Sequence, residues 1–153
     1  MAGRTDTASR LIAAPASRLY QAMVDAGQLL QWLPPTGMTG TLAEFDPRPG
    51  GQYRMTLRYD DPAVAGKSGA NEDIVAARFL DLVPDRRVVQ EIDFVSDDPH
   101  FAGTMTMTWE LVPAGDRTEV RIIAANVPEG INPADHAEGM AASLANLARF
   151  VEG

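Results

Sequence analysis

The sequence predicts an α+β fold in which a seven-stranded antiparallel sheet wraps its dry face around one long C-terminal helix, with two short helices after the first strand. Three observations carry that prediction. Between residues 37 and 126 apolar residues recur with a period of two, as side chains do on a pleated strand. Most joints between these stretches are short and rich in turn residues, which forces antiparallel hairpins, because a parallel crossover needs about a dozen residues or more. From residue 132 the period returns to the helical value of about 3.6, in the one remaining apolar surface large enough to cover a sheet.

The elements follow in order. "SRLIAA" (9–14) reads as a first strand closed by Pro15, and "PASRLYQAMV" as a helix with Pro15 at its first position and Leu19, Tyr20 and Met23 at helical spacing. "DAGQLLQWLPP" reads as a second short helix, capped by Asp25 with Gln28 completing a capping-box-like pair, and stopped by Pro34 and Pro35. Strands are expected at 38–46, 51–60, 71–83, 86–95, 103–112 and 117–125. The strictest is "GTMTMTWEL", where Met105, Met107, Trp109 and Leu111 alternate with Thr104, Thr106, Thr108 and Glu110. "PRPGG", "VPDR" and "PAGDR" supply turns, whereas 60–73 reads as a long polar hairpin tip. In the last segment Asn132 is the expected cap, Pro133 opens the helix and Asp135 lies in its first turn. Its apolar stripe runs through Ala137, Met140, Ala141, Leu144, Leu147, Ala148 and Val151.

The totals narrow the function classes. One domain, 1–153, is expected from 153 residues with no repeat or linker. The chain has no cysteine, which removes disulfides, thiolate nucleophiles and zinc–thiolate sites together. Its 21 acidic against 13 basic residues give a net charge of −8, which repels phosphate backbones and anionic lipid, so neither nucleic acid nor membrane is an expected partner. The first residues contain no apolar run of the secretory kind, and nowhere do about eighteen apolar residues run together; a cytoplasmic location is expected. There is no Gly-x-Ser-x-Gly elbow, and "GKS" at 66–68 fails as a phosphate loop because position 61 is Asp where that motif needs Gly. His100 and His136 lie in separate segments with no metal-ligand spacing, so no metal and no cofactor is expected.

Five local motifs in order resemble a known family. "APASRLYQAM" followed by "DAGQLLQWLPP", "FDPRPGGQYRM", "LVPDRRVV", "GDRTEVRI" and "EGMAASLANLARFVE" resemble the helix-grip fold of the START-like (SRPBCC) superfamily. Within it the chain is similar to single-domain proteins related to the activator of the heat-shock protein 90 ATPase, with Met140 where that family usually has tryptophan. The resemblance implies binding of a hydrophobic or amphipathic molecule between sheet and helix. Its other implications are an enzyme of polyketide-cyclase or hydrolase type, and a protein-binding module with a chaperone partner. The eukaryotic activators carry an additional N-terminal domain that does much of the stimulation, and this chain resembles only the later domain.

The candidate ligand-binding residues come from the inward faces. Strand 51–60 offers Tyr53, Met55, Leu57 and Tyr59; strand 86–95 offers Gln90 and Ile92; strand 103–112 offers Met105, Met107 and Trp109. Trp32 would close one end, and Met140 and Leu144 would face the space from the helix. Two features argue that the space is hollow. Ala137, Ala141 and Ala148 reach little into it, and Gln90 stands among apolar neighbours, where an unpartnered amide costs about 1–3 kcal/mol. Methionines suit the wall of such a cavity, being unbranched and polarizable. The competing expectation is a helix packed closer, with methionines filling the gaps. No catalytic residue is assigned: the inward faces are nearly free of ionisable groups, and the enzymatic alternative would use an inward tyrosine with His136. His136 reads as a solvated surface residue, its alternative place being the cavity mouth, and His100 as a loop residue.

Overall fold

The computed structural model describes residues 4–34, 37–61, 63 and 71–152. Its elements run β1 (Arg4–Ile12), α1 (Ala16–Val24), α2 (Ala26–Trp32), β2 (Met38–Ala43), β3 (Gln52–Tyr59), β4 (Glu72–Val83), β5 (Arg87–Val95), a short 3-10 turn (Pro99–Phe101), β6 (Met105–Ala114), β7 (Arg117–Val127) and α3 (Pro133–Glu152). The seven strands form one sheet in the order β1-β7-β6-β5-β4-β3-β2, with every neighbouring pair antiparallel. β1 and β2 are thus opposite edges, and α1 with α2 carries the chain from one to the other. The expected fold class and the order of its elements are observed.

The alternation read in the sequence is the alternation of burial. Met105, Trp109 and Leu111 on β6, Val88, Gln90 and Ile92 on β5, and Val120, Ile122 and Ala124 on β7 are buried. α3 closes over them with Met140, Leu144, Leu147 and Ala148. Burying one such large apolar side chain contributes about 1.5–3 kcal/mol, so this helix face is a principal source of stability.

Several boundaries differ from expectation, each for a physical reason. β1 begins at Arg4 rather than residue 9, because it pairs with β7 from Arg4 opposite Val127 to Ile12 opposite Thr118. Its polar first half hides that pairing in the sequence, since the partner lies more than a hundred residues away. β2 ends at Ala43, where Glu44 turns to φ 59°. Pro15 caps α1 rather than opening it. Asp25 caps α2 by accepting from the Gln28 backbone N–H at 3.0 Å, but the Gln28 side chain accepts from Arg18 at 2.6 Å instead of completing a capping box. β6 runs on through Pro113 to Ala114, and β7 to Val127. The cap of α3 is as expected, Asn132 accepting from Ala134 and Asp135 at 2.9 and 3.2 Å. Pro35, "GKS" and the centre of the 60–73 hairpin tip lie outside the described residues.

The "PRPGG" turn does more than reverse the chain. It lies against a bulge in β4 between Phe79 and Asp81, where the Gly50 N–H donates to the Phe79 carbonyl and the Phe79 N–H to the Gly51 carbonyl, both at 2.8 Å. A Cβ on Gly51 would meet the Asp46 carbonyl oxygen at 2.0 Å, so glycine is required there by a close approach of backbone. Gly51→Ala is therefore expected to lower unfolding stability by about 3 kcal/mol, measured by urea denaturation. A loss under about 0.5 kcal/mol, which is the scatter of ordinary surface substitutions, contradicts this role for the turn.

Candidate functional site

The concave face of the sheet does not meet α3 along its whole length. Near the C-terminal half of the helix Leu144, Leu147 and Ala148 are packed to 0–1% exposure. Beneath the N-terminal half lies a cavity of about 260 Å³, walled by the sheet, by α2 and by α3. The sheet contributes Tyr53, Met55 and Leu57 from β3, Gln90 and Ile92 from β5, and Met105, Met107 and Trp109 from β6. Trp32 and Leu29 form the wall at α2, and Met140 closes it from α3.

Two expected lining residues stand elsewhere. Tyr59 turns its hydroxyl to Asp73, donating at 3.2 Å, which draws it out of the cavity. Leu144 is buried at 1% exposure in the closed half of the interface. The alanine explanation for the hollow also fails, because Ala137 and Ala141 are exposed. The residues of α3 that border the space are His136, Gly139, Met140 and Ser143, spaced three, four and seven apart as one helix face requires. Ser143, half-buried, borders the room that the alanines were expected to leave, and Gly139, exposed as they are, lies at its mouth, where an added Cβ meets nothing within 4 Å. Hydropathy concealed this face, since three of its four residues are polar or lack a side chain; their spacing was the usable signal.

The polar groups of the cavity are few and specifically held. Trp32 packs edge-on against Trp109, ring centroids 5.5 Å apart, and its indole N–H donates to the Ala22 carbonyl at 2.9 Å. The Tyr53 hydroxyl donates to Gln90 Oε1 at 3.3 Å. Burial pushes the Tyr53 pKa up to about 12, the hydrogen bond to Gln90 opposing it only in part. That hydroxyl therefore keeps its proton near neutral pH and serves as a donor.

His136 is not a solvated surface residue. Its side chain is 14% exposed, and Nδ1 lies 2.7 Å from Oδ2 of Asp6 on β1. Arg4 holds the same carboxylate, with Nε 2.9 Å from Oδ1 and Nη2 3.0 Å from Oδ2, and its Nη2 also donates to the Ile131 carbonyl at 2.7 Å. This Arg4–Asp6–His136 clasp joins the edge strand to the first turn of α3 beside the cavity. The Asp6 pKa is lowered, chiefly by Arg4 and then by His136, against an opposing effect of burial. His100 is an exposed turn residue bonded to Asp98, although its carbonyl also accepts from the Gly130 N–H at 2.8 Å and so anchors the chain leading into α3. Among the described residues no group of three or more His, Cys, Asp or Glu side chains is placed to hold a metal, and no helix is long and apolar enough to cross a membrane.

Comparison with known proteins agrees with this architecture. The family model described as Activator of Hsp90 ATPase homolog 1-like protein matches residues 13–152. A crystal structure of a Chromobacterium violaceum protein is 31% identical, with a TM-score of 0.85 and 97% of each chain covered. A Rhodobacter sphaeroides protein shares the fold at 19% identity, TM-score 0.80, covering 99% of this chain and 97% of its own. An Arthrobacter aurescens protein does so at 16% identity, TM-score 0.76, covering 99% and 91%. Among curated proteins, none matches.

The clasp carries a pH signature. Asp6 has a folded pKa below its ordinary 3.8, so its contribution to stability is complete above that value and is lost as pH falls through the lower folded pKa. The stability difference between wild type and Asp6→Asn, from urea denaturation, is expected to be constant above about pH 5 and to shrink as pH falls toward about 3. A difference that stays the same through the acid range shows that Asp6 gains nothing from its partners.

Proposed function

The chain belongs to the Activator of Hsp90 ATPase homolog 1-like family of the START-like helix-grip superfamily, and from that premise we propose that it binds one small hydrophobic or amphipathic molecule between the sheet and α3. The observation that carries this reading is the cavity of about 260 Å³, whose wall is apolar apart from the polar atoms of Tyr53, Gln90, His136 and Ser143. A space lined by apolar side chains with a few fixed polar groups suits ligands by the same logic as a core, since the apolar body leaves water and the polar atoms set its orientation. Its volume lies just below the usual range of about 300–1,000 Å³ for ligand pockets, which favours a molecule of one or two rings. Met23, Met55, Met105, Met107 and Met140 line it, and their flexible thioethers let the wall adjust to the guest.

Both tryptophans of the chain, Trp32 and Trp109, face the cavity and supply an intrinsic reporter. Titration with the uncharged dye N-phenyl-1-naphthylamine should show energy transfer from tryptophan that saturates at one dye per chain. Gly139→Leu separates occupancy from folding. Gly139 is exposed at the mouth of the cavity, where a leucine side chain narrows the entrance without a clash, while leaving glycine in a helix interior gains about 0.5–1 kcal/mol. The expected result is a raised Tm together with dye affinity lowered about tenfold or more. Dye binding unaffected by Gly139→Leu, or absent from the wild type, contradicts the proposal.

A further inference from the structure

Resting on that binding reading, we infer that the ligand carries an O–H donor at one end, received by the Asp6–His136 pair, and a hydrogen-bond acceptor at the other, met by the amide of Gln90. The register places these two ends. Asp6 on β1 is opposite Ala124 on β7, Ala124 opposite Met107 on β6, and Met107 opposite Gln90 on β5. Directly opposed residues project from the same face of a sheet, so this is one row across the concave side, polar at each end and apolar between. Three strand spacings set Asp6 and Gln90 about 14 Å apart on a flat sheet, and less on one that curves toward the helix. His136 reaches over Asp6 from α3 and shortens the gap between the polar ends further, to within reach of a two-ring molecule bearing a polar group at each end.

The chemistry of each end follows from its partners. Asp6 is held as a carboxylate by Arg4 and can only accept, so at 2.7 Å the hydrogen between it and His136 belongs to Nδ1. With Nδ1 committed to Asp6, Nε2 is the ring atom left to a ligand at the cavity wall, and a ligand O–H meets it through an O–H···N hydrogen bond in which no covalent bond breaks. At the other end Gln90 is 8% exposed and its Oε1 is occupied by the Tyr53 hydroxyl, so its NH2 is the part left to donate, and among the described residues it has no recorded partner. A carbonyl oxygen complements it.

Other charges do not disturb this assignment. Asp6 and Arg4 on β1 are the charged groups facing His136 from the sheet edge, and Asp135, exposed, is its neighbour on α3. The cavity residues from α1, α2 and the other strands carry no formal charge, and Tyr53, the one other titratable group among them, keeps its proton.

The test uses 6-hydroxy-2-naphthaldehyde and its methyl ether, 6-methoxy-2-naphthaldehyde, which share a body and a carbonyl but differ in the O–H. At a pH where the free naphthol is protonated, wild-type protein is expected to bind the hydroxy compound about tenfold or more tightly than the ether. His136→Leu, checked for folding by its thermal melt, is expected to bind the two alike. Equal affinities in the wild type, or a tenfold preference that persists in His136→Leu, overturn the inference. If neither naphthaldehyde binds while N-phenyl-1-naphthylamine still does, the inference fails and the binding function stands; if the dye is refused as well, both fail.

Discussion

Everything in this structure depends on how α3 is tethered. The helix is tied at each end and packed tightly only toward its C-terminus. At the N-terminal end Arg4 and Asp6 of the edge strand hold the Ile131 carbonyl and His136. At the C-terminal end Glu152 accepts from the Ala13 N–H at 2.8 Å, and the Arg18 guanidinium lies 5.0 Å from the centre of the Phe150 ring. Thr118, buried at 1% exposure, donates to the Ala14 carbonyl at 2.8 Å and locks the β1–α1 joint to β7. A helix fixed at two ends over a curved sheet cannot settle evenly into it. Leu144, Leu147 and Ala148 fill one half of the interface, and the half under His136, Gly139 and Ser143 is left open.

That division sets packed core beside open space. Leu144, Leu147 and Ala148 in the closed half, and an aromatic cluster of Phe45, Tyr53 and Phe79 with centroid distances of 5.4–5.9 Å, supply apolar burial. The open half has methionine thioethers, two tryptophan faces and very few polar atoms, so it can be filled by a guest without breaking a hydrogen bond of the fold. Tyr53 joins the cluster to the cavity: its ring packs against Phe45 and Phe79, while its hydroxyl bonds Gln90 at the cavity wall.

The sequence made the fold legible because two periods dominate it. Strict alternation such as "MTMTWEL" carries over into burial, and the 3.6-residue stripe of the last helix does so at Met140, Leu144, Leu147 and Ala148, though not at Ala137 and Ala141. Ten of the twelve candidate lining residues border the cavity for the same reason: in a half-dry strand, being apolar on the correct side is nearly equivalent to facing inward. What stayed hidden was non-local or polar. The first half of β1 reads as polar chain and becomes a strand only through β7. His136 reads as surface until Asp6, 130 residues earlier in the chain, is placed beside it. Tyr59 alternated correctly yet was drawn away by Asp73, a buried carboxylate in what the sequence presents as a solvated loop. Gly139 and Ser143 border the hollow although hydropathy gives them no weight.

The most direct measurement of the central claim, that this space is empty and accessible rather than filled by its own side chains, is the methyl NMR spectrum of protein labelled with 13C at methionine Cε, recorded under xenon pressure. Met23, Met55, Met105, Met107 and Met140 line the cavity, whereas Met38 lies on the edge strand β2 away from it. Saturable shifts confined to the lining methyls, with Met38 unmoved, are the predicted result. Lining methyls that respond no more than Met38 would contradict the account, because a solid interior gives xenon nowhere to enter.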